Sequence, residues 1–193
     1  MVKTIDIQLL KYKGELYYEK NTEIPYTGKV KGLVRGDFKN GKAEGLITEY
    51  YDNGTTFSTG NYLNGKLMGS YEEFYSNGNL KKKGTVEEGK WQNQYLEFYE
   101  NGQLREEAYY IKGLLDGKFI TYFSDGNIKK KINYKNGKLE GSFFCYYKNG
   151  KIWIKNNYVN GKLDGYRYVY FENGKLEKKE FYNKGLNTVK PIH

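Results

Sequence analysis

Apolar and polar positions alternate along this chain in short runs, and each run ends at a similar turn signal. Segments such as Ser70 to Tyr75 and Gln103 to Ile111 carry Tyr, Phe, Leu or Ile between polar residues, and Asn-Gly separates most of them. Asn-Gly between alternating segments is the strongest short-range hairpin signal. No segment holds a helical period of useful length, so the pattern predicts strands and no helices.

The hairpins recur. Gly41, Gly65, Gly89, Gly113, Gly137, Gly161 and Gly185 stand 24 residues apart. Gly54, Gly78, Gly102, Gly126, Gly150 and Gly174 keep the same spacing, as do Gly45, Gly69, Gly117, Gly141 and Gly165, with Asn93 in the one remaining place of that series. Aromatic pairs stay in phase: Tyr50-Tyr51, Phe74-Tyr75, Phe98-Tyr99, Tyr122-Phe123, Tyr146-Tyr147 and Tyr170-Phe171. A fixed period in this range marks a repeat array in which each unit packs only on its neighbours. The predicted fold is all-β: an elongated array of consecutive antiparallel β-hairpins forming a twisted single-sheet ribbon. At roughly 4.8 Å per strand, about 14 strands would extend on the order of 60 Å. Residues 1–35 fall out of phase and read as an N-terminal β cap continuous with the array, 36–186 as the repeats, and 187–193 as a C-terminal tail.

Register follows if both Asn-Gly series are two-residue turns. Around Asn77-Gly78, Tyr75 then opposes Leu80, Glu73 opposes Lys82 and Tyr71 opposes Gly84, and the equivalent outer pairs are Tyr99 with Leu104, Phe123 with Ile128, Tyr147 with Ile152 and Phe171 with Leu176. Around the other turn, Tyr62 opposes Leu67, Tyr110 opposes Leu115, Tyr134 opposes Leu139 and Tyr158 opposes Leu163. The inner pairs become Ile47 with Gly60, Tyr95 with Ala108, Phe119 with Ile132, Phe143 with Asn156 and Arg167 with Glu180, so this face turns polar toward the C-terminal end. All these side chains share one face, because side chains alternate with period two.

The opposite face pairs rings with cations: Tyr50 with Phe57, Phe74 with Lys81, Phe98 with Arg105, Tyr122 with Lys129, Tyr146 with Trp153 and Tyr170 with Glu177. A second row sets Glu72 against Lys83, Ile120 against Lys131, Phe144 against Lys155 and Tyr168 against Lys179. Two explanations stay open. Lysine stems cover rings and guard an exposed sheet, or the rings and cations form a binding surface. The candidate binding residues are Phe74, Lys81, Phe98, Arg105, Tyr122, Lys129, Lys131, Tyr146, Trp153, Lys155 and Tyr170.

Composition narrows the chemistry. The 193 residues include 22 Tyr and 10 Phe, which argues for a folded chain, but only 38% apolar residues, which argues against a thick core. One Cys and one His, the terminal His193, exclude an internal disulfide, a Cys-cluster zinc site and most His-dependent catalysis. The serines have no His base, so no catalytic residue, metal ligand or cofactor is assigned, and the chain reads as not an enzyme. Cys145 reads as a small packing residue with no cation adjoining it. Asp52-Asn53-Gly54 and Ser124-Asp125-Gly126 read as turns, since a calcium loop needs more oxygen ligands in one segment. The net charge of +9 favours acidic partners. Glu49, Glu73, Glu97, Glu106, Glu107 and Glu177 interrupt the basic rows and disfavour nucleic acid. Carbohydrate or cell-wall binding through the aromatic-basic face stays open as an alternative, although a glycan would usually be held by paired Trp and only Trp91 and Trp153 are present. The runs Lys81 to Lys83 and Lys129 to Lys131 keep an anionic membrane surface open as an alternative. No apolar run is long enough for a membrane-spanning helix and no signal-peptide region is present, so the chain is either cytoplasmic or exported with its signal removed.

The segment Gly137-Lys138-Leu139-Glu140-Gly141, followed by Tyr146-Tyr147-Lys148-Asn149-Gly150 and Tyr158-Val159-Asn160-Gly161-Lys162, resembles the membrane occupation and recognition nexus (MORN) repeat in its bacterial variant form. The resemblance covers about residues 36–186, and Pro25-Tyr26-Thr27-Gly28 looks like the segment opening many bacterial members. It implies a noncatalytic hairpin module for protein interaction or membrane association, often labelled antitoxin-like, with a protein partner or self-association. The repeats at Trp91 and at Gly113-Leu114-Leu115 depart from the pattern, which questions the bends there.

Overall fold

The computed structural model describes residues 2–188, so His193 and most of the expected tail lie outside the described residues. The chain divides into two compact units, Met1–Trp91 and Gln92–His193. The first holds β1 (Thr4–Asp6), β2 (Leu10–Lys13), β3 (Leu16–Glu19), β4 (Gly28–Lys31), β5 (Val34–Lys39), β6 (Lys42–Tyr50), β7 (Thr56–Leu63), β8 (Lys66–Phe74) and β9 (Leu80–Glu87). The unit boundary falls within β10 (Lys90–Phe98), and the second unit continues with β11 (Leu104–Ile111), β12 (Leu114–Tyr122), β13 (Ile128–Lys135), β14 (Lys138–Tyr146) and β15 (Ile152–Val159). It ends with β16 (Lys162–Leu163), β17 (Gly165–Tyr170), β18 (Leu176–Asn183) and β19 (Leu186–Asn187). The fold is all-β, as predicted; among the described residues the one helical element is a single 3₁₀ turn at Ile7–Leu9.

In the first unit β1 pairs in parallel with β4, and β4 through β9 pair antiparallel in chain order. The β2–β3 hairpin is a separate two-stranded sheet. Its Tyr17 ring meets Phe38 edge-on with centroids 5.2 Å apart, and Leu10 joins Tyr26, Val30, Phe38 and Ile47 in the buried cluster. Tyr26 is 1% exposed. Its hydroxyl donates to the carbonyls of Lys29 at 2.8 Å and Lys3 at 3.2 Å, so the buried phenol is satisfied and ties β1 to β4. Each fully buried side chain of this cluster contributes roughly 1.5–3 kcal/mol.

In the second unit β10 to β15 form successive antiparallel hairpins. The strand after β15 is interrupted at Asp164, so β15 pairs with both β16 and β17 before β17–β18–β19 complete the run. The predicted inner pairs are present: Ile47 opposes Gly60, Tyr71 opposes Gly84, Tyr95 opposes Ala108, Phe119 opposes Ile132 and Phe143 opposes Asn156. Arg167 opposes Glu180, with Nη1 2.6 Å from Oε2. Along this face rings contact their diagonal neighbours edge-on, as in Tyr95 with Tyr110 at 5.9 Å and Phe119 with Tyr134 at 5.7 Å. Such contacts contribute about 0.5–1.5 kcal/mol beyond area burial. Val86, Ala108, Ile132, Cys145 and Val169 are buried on it.

The two turn series differ. Asn64-Gly65 is a two-residue turn, with φ of 52° and 78°, and Leu63 opposes Lys66 as the sequence predicts. The turn after the aromatic pair is one residue longer than predicted. Tyr75 donates its N–H to the Asn79 carbonyl at 2.8 Å, and Gly78 donates to the Tyr75 carbonyl at 2.9 Å, so the loop is Ser76-Asn77-Gly78. Only Gly78 is left-handed there, at φ 87°. Asn77 instead uses its Oδ1 to accept the Asn79 N–H at 2.9 Å, which is why Asn or Asp recurs at this place.

The extra loop residue is offset by a β-bulge two residues later. Glu73 opposes Lys82 as expected, but Phe74 opposes Leu80, not Lys81, and Tyr75 does not oppose Leu80. The same correction applies to the other nearest-turn pairs, where Tyr50, Phe98, Tyr122, Tyr146 and Tyr170 oppose Thr56, Leu104, Ile128, Ile152 and Leu176. The bulge absorbs one residue, so every deeper pair returns to the predicted register. A second bulge explains the third glycine series. Between Tyr62–Leu67 and Gly60–Tyr71, Met68, Gly69 and Ser70 face the single residue Asn61, and Gly69 has φ 90°. At the equivalent place Asn93 has φ 62°, a conformation Asn tolerates better than other non-glycine residues, so this repeat bends like the rest.

Successive repeats are bonded to each other at their turns. The hydroxyls of Tyr51, Tyr99 and Tyr147 each donate at 2.8 Å to a carbonyl 23 residues on, those of Phe74, Tyr122 and Tyr170. At the two-residue turns, Gly65, Gly137, Gly161 and Gly185 donate to carbonyls 22 residues back at 2.8–2.9 Å.

Candidate binding surface

The bulge decides where the candidate cations go. The residue it leaves without a cross-strand partner is Phe57, Lys81, Arg105, Lys129, Trp153 or Glu177 in successive repeats. Bulges re-aim side chains. Here they turn the first five residues of this column onto the second ring of the aromatic pair, not the first as the sequence predicts. Lys81 Nζ lies 5.8 Å from the Tyr75 centroid, Arg105 Cζ 5.9 Å from Tyr99 and Lys129 Nζ 5.7 Å from Phe123. Phe57 meets Tyr51 at 5.2 Å and Trp153 meets Tyr147 at 5.9 Å.

In the first unit, Glu73 is 6% exposed and sits between two lysines, with Lys81 Nζ at 2.7 Å and Lys82 Nζ at 2.8 Å. Tyr71 donates its hydroxyl to the same carboxylate at 3.0 Å. Burial pushes the Glu73 carboxyl up, but the hydrogen bonds from Lys81, Lys82 and Tyr71, together with the Lys82 charge, outweigh it, and its pKa falls below the usual range. The Glu73 hydrogen bond holds Lys81 above its ordinary value. Burial, and then Glu73, raises Tyr71 well above the usual phenol range. The Phe74 ring, on the other face of the same strand, is half-buried.

In the second unit Arg105 still has an acid, Glu97 Oε1 at 2.9 Å, and Phe98 is half-buried against Leu104. One repeat later the acid is gone. The column that reads Glu49, Glu73 and Glu97 continues as Thr121, Cys145 and Val169. Thr121 opposes Lys130, and its Oγ1 is buried with no hydrogen-bond partner. Lys129, Lys130 and Lys131 are exposed and make no ion pair among the described residues. The nearest acid in the Thr121 row, Glu106, opposes Glu97 and is two strands from Lys130. Burial, then the Glu97 charge, raises its pKa despite Arg105.

Lys129, Tyr146 and Trp153 come together around a pocket of about 380 Å³ with Phe123, Lys130, Cys145, Tyr147, Lys148 and Glu172. Trp153 is 43% exposed, and the Tyr147 hydroxyl is held by the Tyr170 carbonyl. Cys145 opposes Ile154 as expected, but Lys130 lies across its other edge, so a cation does adjoin it. Burial nonetheless dominates over Lys130 and Lys129 and pushes the thiol up, which keeps it a packing residue.

The remaining candidates form the predicted second row. Ile120 opposes Lys131, Lys131 opposes Phe144, Phe144 opposes Lys155, Lys155 opposes Tyr168 and Tyr168 opposes Lys179. Lys179 Nζ lies 4.2 Å from the Tyr166 centroid, and Lys155 Nζ 5.9 Å from Tyr168. Tyr146 stacks on Phe144 and Tyr170 on Tyr168, both at 6.3 Å. Phe123, Tyr147 and Lys130 were outside the sequence-derived set, because the sequence reading placed them on the packed face, where the structure also has them; it is the bulge that brings Lys129 and Trp153 round to them. The signal that could have found them was the change from Glu to Thr121 and Cys145 in one column.

Among the described residues no group of three or more His, Cys, Asp or Glu is placed to hold a metal ion. No helix among them is long and apolar enough to cross a membrane.

The described strands and their surface define a β-hairpin repeat protein in which chemistry is varied at repeated columns of a constant scaffold. The sequence matches the MORN repeat variant family in six consecutive repeats, residues 43–64, 69–88, 87–112, 115–136, 139–160 and 163–184, and the chain belongs to that family. Repeats of this family are generally protein- or membrane-interaction modules. No curated protein matches the chain.

Proposed function

We propose that this chain is a noncatalytic module that binds a protein partner through the ring-and-cation face of its second unit. The observation that carries the reading is the row Lys131–Phe144–Lys155–Tyr168–Lys179, in which cations and rings alternate strand by strand. None of its three lysines makes an ion pair among the described residues. Unpaired lysines over rings cost little to hold in water, yet they offer rigid contact area and steer acidic surfaces on approach. If the partner is a toxic protein, the module is antitoxin-like, and co-expression would then restore growth.

The test is a pull-down from lysate and envelope fractions at two salt concentrations, comparing the native chain with a Lys131→Glu, Lys155→Glu double variant of unchanged circular dichroism. Loss of a specific protein in the variant is the expected result; unchanged retention of that protein would count against the face.

A further inference from the structure

We propose that the pocket between Phe123, Tyr147 and Trp153 binds the aromatic side chain of an acidic partner peptide, with Lys129 and Lys130 receiving the carboxylates that flank it. The inference rests on the reading of the chain as an interaction module and adds to it a second location, on the sheet face opposite Lys131 and Phe144, and a ligand chemistry.

The walls supply the first half of the argument. Four aromatic residues, Phe123, Tyr146, Tyr147 and Trp153, and the apolar edge of Cys145 line an open pocket of about 380 Å³, near the lower end of the roughly 300–1,000 Å³ usual for ligand pockets and enough for one ring and its adjoining backbone. Trp153 stands at a bulge, where no cross-strand partner covers it, and it remains 43% exposed.

Charge supplies the second half. The same two lysine positions in the first unit, Lys81 and Lys82, are saturated by Glu73. At Lys129 and Lys130 the internal carboxylate has been replaced by Thr121, whose buried Oγ1 is itself unpartnered. A peptide carboxylate would stand where the repeat's own glutamate stands in the preceding copies. Glu172 also lines the pocket and opposes an anion, but Lys129, Lys130 and Lys148 outnumber it. The surroundings thus select an apolar group beside negative charge, and disfavour a neutral or cationic peptide.

The experiment titrates the ¹⁵N-labelled chain with three short capped peptides: Glu-Phe-Glu, Glu-Ala-Glu and Lys-Phe-Lys. The expected result is a saturable set of amide shifts within residues 121–130 and 145–153 for Glu-Phe-Glu, with at least tenfold weaker binding of the other two. Thr121→Glu restores the internal carboxylate and should weaken Glu-Phe-Glu at least tenfold. Lys129→Gln with Lys130→Gln should do the same through exposed residues that the fold does not need. Equal binding of Lys-Phe-Lys, or undiminished binding to both variants, would overturn the proposal. The two readings fail separately. Peptide binding at the pocket with a pull-down indifferent to Lys131 and Lys155 sinks the face; the reverse sinks the pocket.

Discussion

Lys81-Lys82 in the first unit and Lys129-Lys130 in the second occupy equivalent columns, 48 residues apart, in identical Lys-Lys-Lys tripeptides. Their physical situations are opposite. The first pair is half-buried on a shared carboxylate, while the second is exposed beside an apolar pocket. The difference lies across the strand, where Glu73 has become Thr121. In a repeat scaffold, then, a basic motif does not define a site until its neighbours in the same row are known.

The comparison can be broken most severely at Glu73. Glu73→Ala leaves two lysines and the Tyr71 hydroxyl without their common acceptor, and should lower unfolding free energy by about 2 kcal/mol in urea titration, discounted from the buried-pair range because the lysines stay partly exposed. A loss below a few tenths would mean the triad is a surface decoration. Backbone strain comes next. Gly141 has φ 75° with nothing within 4 Å of a added Cβ, so Gly141→Val acts through conformation alone and should cost about 1–3 kcal/mol, while Gly141→Asn, imitating Asn93, should cost clearly less. Equal losses for Val and Asn would show that the bulge does not need a left-handed residue.

Acid sharpens the contrast. The Glu73 pKa is depressed, so its contribution is full above the ordinary carboxylate range and disappears as pH falls through the depressed value. The Glu106 pKa is raised by burial and by Glu97 across the strand, so its charged form destabilises the fold at neutral pH and the penalty is relieved on acidification through the raised value. Glu106→Gln should therefore stabilise the chain at pH 7 by under about 1 kcal/mol, and the gain should vanish near pH 4. A gain that persists there would assign the effect to packing. The smallest expected effect is that of Thr121→Glu on stability, a gain within about 1 kcal/mol from pairing partly exposed lysines, read as a shift in urea midpoint.

Much of this was legible in the sequence because rows of aromatic, aliphatic and small residues keep phase only in one register. Tyr71 over Gly84 and Tyr95 over Ala108 fix the deep pairs. The turn after the aromatic pair was misread because Asn77-Gly78 looks like a two-residue turn, although Asn77 is spent on holding the Asn79 N–H. The bulge then hid the error from every deeper pair. The ladder through Phe144 and Lys155 lay beyond the bulge and was read correctly, whereas Phe123 and Tyr147 lay at the turn and were missed.

The turn-to-turn bonds of the tyrosine series carry a consequence for lineage. Each of Tyr51, Tyr99 and Tyr147 addresses a carbonyl one period ahead, so a further copy spliced in at the period receives its predecessor's hydroxyl and offers its own to the next. Growth or shrinkage by whole copies therefore creates no unmet donor. Such a chain can lengthen by unequal recombination without first having to invent a new contact, and single columns remain free to drift toward new ligands.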